Sequence, residues 1–172
     1  MKILITGTTG LAASLAYELN SHDVFCAGRS NGYDLNNIHS WGYNFFNYDI
    51  CINNAWSKFA QVDLLELFYS VWKNDTKKQI INIGSSIVDY GRTEINKAHE
   101  YLSYTLHKQA LQSAFNKMVK QAVCDIKLIN PGPVDTAMIA HLQTEKMPPN
   151  ELAKKIIKIM QDPWIKRIDI WQ

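Results

Sequence analysis

The sequence predicts an α/β fold in which a doubly wound parallel sheet carries helices on both faces. Short runs of apolar, β-branched residues alternate with longer runs whose apolar residues recur at helical spacing. The short runs are continuously apolar, as in strands that are buried on both faces. Of the 172 residues, 47% are hydrophobic and 20% are charged, which is typical of a globular chain with one core. We therefore expect residues 1–172 to form a single domain.

Strands and helices are assigned in chain order. The first strand, "KILIT", ends in the glycine-rich turn "TGTTG", and the helix "LAASLAYELNS" follows. Later strands are predicted at "DVFCAG", "YDICIN", "KQIINIGS", "CDIKLINPG" and "RIDIW". Later helices are predicted at "QVDLLELFYSVWKN", "YLSYTLHKQALQSAFNKMVKQA" and "PPNELAKKIIKIMQD". Because right-handed crossovers join successive parallel strands, we expect the helices to sandwich one sheet.

Composition excludes several classes of function. The formal net charge of +2 is too small to indicate nucleic-acid binding, and the densest basic stretch, "KNDTKK", is interrupted by Asp75. Cys26, Cys51 and Cys124 lie in apolar runs without a C-x-x-C motif, and the histidines show no metal-ligand spacing. We therefore expect a reducing compartment and no metal.

The hydrophobic segments do not predict membrane association. At the amino terminus a lysine precedes apolar residues, as in a signal peptide, but "TGTTG" soon interrupts the apolar run. No segment is long enough to span a bilayer. In the last helix, Leu152, Ile156, Ile157 and Met160 form one apolar stripe, which is more typical of a core-facing side than of a membrane anchor. We expect a cytoplasmic protein.

The turn after the first strand is a candidate phosphate site. In a sheet of this kind, ligands bind at the carboxyl ends of the strands, beside the first strand. Gly7 permits a tight turn, and Gly10 lets the backbone approach a phosphate, while the following helix presents unpaired N–H groups. A glycine-rich turn without a ligand is the alternative interpretation. The residues expected to hold a pyrophosphate are Gly7, Thr8, Thr9, Gly10 and Leu11.

Arg29 and Ser30 follow the second strand, where the adenosine ribose of a dinucleotide would lie. An arginine there favours a 2′-phosphate, whereas a carboxylate would accept from both ribose hydroxyls and repel the phosphate. A charge-assisted hydrogen bond corresponds to a preference of about tenfold to a hundredfold. We therefore expect NADP(H) to be preferred, with NAD(H) possible. A solvated surface arginine is the alternative.

Several ordered motifs resemble those of the short-chain dehydrogenase/reductase family. They are "TGTTGLAAS", "DICINNAW", "IINIGSS", "YTLHK" and "NPGPVDTAM", and the resemblance runs from Met1 to about Met138. It implies a Rossmann fold and an NADP(H)-dependent oxidoreductase that acts on a small carbonyl or alcohol. It also implies a homodimer or homotetramer, built partly from the long helices around Leu67 and Leu111.

The resemblance assigns three catalytic residues. Tyr104 is the acid/base, Lys108 is its partner, and Ser85 binds the substrate oxygen, with Ser86 in its place if the register shifts by one residue. The chemistry requires these groups, because a free tyrosine has a pKa of about 10 and an ammonium one helical turn away favours the phenolate. The rival Tyr101 precedes a threonine at that spacing rather than a lysine.

The same resemblance implies further cofactor contacts. Asp34 and Leu35 correspond to a pair at the adenine edge, and Lys108 to a ligand of the nicotinamide ribose. The other expected contacts, which run from the adenine ribose to the nicotinamide carboxamide, are Asn53, Asn54, Ala55, Tyr104, Pro131, Gly132, Val134 and Thr136.

The chain also departs from the family pattern. Ala13 replaces the third glycine of the turn and is expected to place a methyl group at the contact between helix and strand, while Trp56 replaces a glycine and narrows the pocket. The family's asparagine, which sustains a proton relay through water, is missing, and Gln61 is a weak substitute. Trp56, Ser86 and Tyr90 are candidate substrate contacts. These departures leave a second hypothesis, a dinucleotide-binding sensor or interaction domain with little turnover.

Overall fold

The computed structural model describes residues 1–90 and 99–171. Six strands form one sheet in the order β2-β1-β3-β4-β5-β6, and every neighbouring pair is parallel. The strands are β1 (Lys2–Thr6), β2 (Asp23–Ala27), β3 (Ile50–Asn53), β4 (Gln79–Ile83), β5 (Asp125–Pro131) and β6 (Arg167–Ile170). This is the predicted doubly wound parallel sheet, and it confirms the α/β fold class.

Helices cover both faces of the sheet, as predicted. They are α1 (Leu11–Glu18), α2 (Ala60–Trp72), α3 (Ile87–Tyr90), α4 (His99–Met118) and α5 (Pro149–Gln161). Helices α1 and α5 pack against each other in one apolar cluster, and α2 and α4 contribute to a second cluster on the opposite face. In the described residues, no helix combines the length and the apolarity of a membrane-spanning segment.

Burial of α5 confirms the expected direction of its apolar stripe. Leu152 and Ile156 have no exposed surface, and Met160 is also buried. Pro149 occupies the first turn of the helix, where its missing N–H costs no intrahelical hydrogen bond. The stripe therefore packs on the sheet and is part of the core.

Three short 3-10 segments, rather than a long helix, connect β2 to β3. They span Arg29–Asn31, Leu35–Trp41 and Tyr43–Asn47. Tyr33 and Phe45 from this connection make edge-to-face contact at 5.2 Å, and both rings also contact Trp41. This aromatic cluster covers the sheet beside its edge strand, β2, so the connection keeps one face closed without a helix.

One expectation about packing is wrong. Ala13 is exposed, and the methyl group at the contact between α1 and the sheet belongs to Ala12, which has no exposed surface. Leu111 has no exposed surface and packs in the core, and the subunit contact expected from the helices around Leu67 and Leu111 stays a prediction. Leu102 and Leu106 are the exposed apolar residues of α4, at 50% and 51% of their surface.

The backbone after β4 tolerates no side chain at Gly84. A Cβ atom there would lie 2.0 Å from Asn130 Oδ1. We predict that Gly84→Ala lowers the free energy of unfolding by about 3 kcal/mol, since an overpacked core forces neighbouring atoms to move. The measurement is urea unfolding of both proteins. In an Asn130→Ala background the same Gly84→Ala change should cost much less, and an equal cost in both backgrounds would contradict this steric account.

Candidate active site at the carboxyl ends of the strands

The glycine turn lies at the carboxyl end of β1 with its backbone accessible. Gly7 and Gly10 have φ values of 101° and 56°, in the region that favours glycine. A Cβ atom on Gly10 would lie 3.2 Å from Thr136 Cγ2, so the turn and the segment after β5 are in close contact. Helix α1 begins without a side-chain cap and without an acidic residue in its first turn. Its first N–H groups therefore fit an anion.

Ser30 and Arg29 lie beside this turn. The hydroxyls of Ser30 and Thr8 are 3.1 Å apart, which ties the end of β2 to the glycine turn. Arg29 is exposed. Hydrogen bonds from Asn36, with a smaller contribution from the charge of Arg29, lower the pKa of Asp34. Arg29 is thus accessible to a ligand at the predicted ribose position.

Asp34 and Leu35, the predicted adenine-edge pair, have different environments. The Asp34 carboxylate accepts hydrogen bonds from Asn36 N and Asn36 Nδ2, both at 2.9 Å, and begins the 3-10 segment that follows. Leu35 is only 7% exposed and packs in the core. Its side chain therefore anchors this 3-10 segment to the core, and its contact with an adenine stays a prediction.

The residues at the end of β3 connect this strand to its neighbours through hydrogen bonds. Asn54 and Ala55 donate backbone hydrogen bonds to Thr6 Oγ1, both at 2.9 Å, which joins the carboxyl ends of β1 and β3. Asn53 has no exposed surface, and its Nδ2 donates to Gln61 O and Asn82 Oδ1. The expectation that the Asn53 side chain lines a ribose site is therefore corrected: Asn53 holds β3, β4 and α2 together.

The structure brings Ser85, Tyr104 and Lys108 together. Ser85 follows β4, and its side chain lies close enough to that of Tyr104 on α4 to lower the phenol pKa. Lys108 Nζ lies 5.5 Å from the centre of the Tyr104 ring. Ser86 is buried, and its N–H donates to Pro131 O at 3.0 Å. Of the two serines, Ser85 is thus the one whose side chain affects Tyr104, and its catalytic role stays a prediction.

Protonation of this group differs from the expectation. Burial raises the pKa of Tyr104, and the neighbouring Ser85 side chain offsets only part of that rise. Burial also lowers the pKa of Lys108 to about 7. The lysine was expected to lower the phenol pKa, but desolvation opposes both charged forms and prevails here. Tyr104 is therefore a protonated phenol at neutral pH, which suits a proton donor.

Gln61 is the functional candidate that sequence reasoning undervalued. Lys108 Nζ donates to Gln61 Oε1 at 2.7 Å and to Ile83 O at 2.8 Å. Gln61 is 2% exposed and shares the buried side of α2 with Leu64 and Phe68. A glutamine at a core position of a helical repeat is unusual, because a buried amide needs partners. That spacing was the signal in the sequence.

Trp56 packs on the candidate acid. Its ring contacts that of Tyr104 edge to face, with centroids 5.2 Å apart. The rings of His107 and Phe59, whose centroids are 4.4 Å apart, complete this aromatic cluster. The Trp56 Nε1 atom is buried without a partner in the part of the chain that the structure describes. The residue is therefore placed beside the phenol. The Tyr90 side chain lies outside the described residues.

The segment after β5 crosses the site. An isolated β-bridge joins Val134 and Met147 near the two ends of this segment. Thr136 contacts Gly10. Tyr101 Oη lies 2.7 Å from His141 Nε2, which ties the segment to α4 one turn before Tyr104. Sequence reasoning missed His141, since no local pattern marks it.

Two further residues mark the end of β5. Pro131 is buried, and a Cβ atom on Gly132 would lie 3.3 Å from Trp171 Cε3. The carboxyl end of β5 is thus covered by the residue that follows β6. This close approach explains why a glycine follows Pro131.

The low pKa of Lys108 predicts a pH-dependent stability. The folded lysine loses its proton near pH 7, whereas an unfolded lysine keeps it to about pH 10. Between these values the unfolded state binds more protons, so the free energy of unfolding rises with pH. We predict that wild type gains about 1 kcal/mol per pH unit relative to Lys108→Met between about pH 7 and 9. Urea unfolding at several pH values measures this difference, and a constant difference would contradict it.

Comparisons with solved structures identify the fold. A short chain dehydrogenase from Burkholderia cenocepacia, in complex with NADP, is 17% identical with a TM-score of 0.80, over 99% of this chain and 88% of that one. A 3-alpha-hydroxysteroid dehydrogenase from a Pseudomonas species, complexed with NADH, is 14% identical with a TM-score of 0.74, over 98% and 95%. A short chain dehydrogenase from Leptospira borgpetersenii with bound NAD+ is 16% identical with a TM-score of 0.73, over 98% and 90%.

No protein-family model and no curated protein matches the sequence. The likeness therefore concerns the path of the backbone, which agrees along nearly the whole chain. The protein has the Rossmann fold of the short-chain dehydrogenases/reductases.

Proposed function

We propose that this protein is an NADP(H)-dependent oxidoreductase of the short-chain dehydrogenase/reductase type, which interconverts a small carbonyl compound and its alcohol. The observation that carries the proposal is the meeting of Ser85, Tyr104 and Lys108. The Ser85 side chain lies next to the phenol and acts to lower its pKa, and the lysine nitrogen lies 5.5 Å from the centre of the phenol ring. A carbonyl oxygen bound between the two hydroxyls would contact both of them.

The residues divide the reaction between them. The bound nucleotide supplies or accepts the hydride. Tyr104 gives its proton to the substrate oxygen in the reducing direction, and its raised pKa keeps that proton in place at neutral pH. Ser85 donates a hydrogen bond to the same oxygen and stabilises the negative charge that develops there. Lys108 stabilises the phenolate that remains until solvent returns the proton.

The glycine turn supports dinucleotide binding. Gly7 and Gly10 have positive φ values and approach Asn54 and Thr136 closely, so the turn is tight. The uncapped start of α1 offers N–H donors to a pyrophosphate. Thr136 lies beside Gly10, so the segment after β5 borders the turn. Solved structures of this fold contain NADP, NADH or NAD+.

Arg29 supports a preference for NADP(H). Its guanidinium is exposed, and the neighbouring Ser30 hydroxyl, held 3.1 Å from Thr8 Oγ1, adds a second donor. Together they fit a phosphate on the adenosine ribose better than two ribose hydroxyls. NAD(H) is the second cofactor that the site would accept.

Tyr104→Phe tests the assigned acid. We predict that it lowers the rate of NADPH-dependent reduction of small aldehydes and ketones by about 10² to 10⁴-fold, because it removes the proton donor, while NADPH affinity stays nearly unchanged. NADPH absorbance gives the rate, and tryptophan fluorescence gives the affinity. Tyr101→Phe is the matched control and should keep most of the activity.

The contrary outcomes of this experiment are distinct. Equal rates in wild type and Tyr104→Phe, above background, would contradict the role of Tyr104. Background rates in both proteins, with NADPH still bound, would favour a dinucleotide-binding sensor.

Arg29→Asp tests the cofactor assignment. We predict that it weakens NADPH binding by about tenfold to a hundredfold and reduces the preference over NADH, since a carboxylate repels the 2′-phosphate. Fluorescence titration with both nucleotides measures this change. Lys120→Asp makes the same change of charge on an exposed residue beyond α4 and should leave the preference intact. An unchanged preference in Arg29→Asp would contradict the assignment.

A further inference from the structure

Gln61 and Lys108 form a buried polar contact between two helices. The residues are 2% and 3% exposed, and Gln61 Oε1 lies 2.7 Å from Lys108 Nζ. Gln61 belongs to α2 and Lys108 to α4, 47 positions apart in the sequence. A water molecule is not needed to connect them, because the distance is that of a direct charge-assisted hydrogen bond.

The orientation of the Gln61 amide is fixed by its other partners. Its Nε2 donates to Asn53 O at 2.9 Å and to Ile83 O at 3.1 Å. Both partners are carbonyl oxygens, which only accept hydrogen bonds. A flipped amide would set its oxygen against these two oxygens and its nitrogen against an ammonium. The amide oxygen must therefore face Lys108.

Lys108 is held by neutral dipoles. The groups that face its nitrogen are Gln61 Oε1 from α2, Ile83 O from β4 and the Tyr104 ring from its own helix. In the described ranges, 1–90 and 99–171, no carboxylate forms an ion pair with it, and burial is the cause of its lowered pKa. An ammonium has three donors, and the described residues accept from two of them. Loss of either carbonyl partner would further disfavour the charged form.

We propose that Gln61 is a positioning residue that fixes the Lys108 ammonium next to Tyr104 through a direct hydrogen bond of fixed polarity. Without it, Lys108 would lose its proton more readily and would stabilise the phenolate less. The part that concerns Tyr104 rests on the proposed function, whereas the effect on Lys108 does not. From the sequence, Gln61 was expected to be a weak substitute for the asparagine that sustains a relay through water. In the structure it contacts Lys108 directly.

The first test follows the titration of Lys108 itself. The full-length protein is labelled with carbon-13 lysine, and the Lys108 signal is assigned by its loss in Lys108→Met. Gln61→Met removes the acceptor at similar volume and should lower the titration midpoint by about one pH unit. Gln61→Glu places a carboxylate there and should raise it by about one pH unit or more. If Gln61→Met does not fold, the rise of the Lys108 titration midpoint in Gln61→Glu tests the proposal by itself.

Gln112→Met provides the matched control. Gln112 lies one turn after Lys108 on α4, is partly buried, and approaches Asn130 at 3.5 Å rather than Lys108. The same substitution there should leave the Lys108 midpoint unchanged. Identical midpoints in wild type and both Gln61 variants would overturn the proposal.

The second test reads the effect on catalysis. In alcohol oxidation the rate rises as Tyr104 becomes a phenolate, so Gln61→Met should move the pH–rate midpoint upward by about one pH unit. A purely structural role would lower the rate at every pH without moving the midpoint, and that result would overturn the link to Tyr104. Absence of turnover in wild type would overturn the proposed function, and the lysine titration would still decide whether Gln61 holds Lys108.

Discussion

The candidate site depends on a lysine that is buried without a counter-ion among the described residues. A buried ammonium is costly unless it is hydrogen-bonded, and Lys108 meets that requirement with one side-chain oxygen and one strand carbonyl. Those two acceptors come from α2 and the last residue of β4, so the lysine fixes α4 against both elements. The same turn of α4 carries Tyr104. The contacts that hold the lysine therefore also fix the position of the phenol.

The ends of the strands are joined by polar contacts that leave little freedom around this lysine. Asn53 and Asn82 link β3 to β4, and Asn54 reaches back to Thr6 at the end of β1. Asn130 fills the space that the missing side chain of Gly84 leaves. Buried polar groups with defined partners specify one arrangement. The glycine turn, the serine and the phenol are therefore held on a rigid edge, as a site for hydride and proton transfer requires.

Much of the fold follows from the sequence, because it arises from local patterns. Continuous apolar runs such as "KQIINIGS" marked the strands, and helical spacing marked α5. The position of Ser85 directly after β4 also follows from the sequence, because the apolar run ends there. The direction of Ala13, the burial of Asn53 and Leu35, and the pKa of Tyr104 were not predicted. Each depends on which groups pack nearby in three dimensions, and desolvation has no signature in sequence spacing.

A crystal structure with bound NADPH tests the central claim most directly, because it shows the lysine, its supports and the nucleotide together. We expect Gln61 Oε1 to stay within hydrogen-bond distance of Lys108 Nζ, with the nicotinamide ring beside the Ser85 and Tyr104 hydroxyls and the pyrophosphate on the glycine turn. An amide oxygen that points away from the lysine, or a nicotinamide bound out of reach of Tyr104, would be the opposite result.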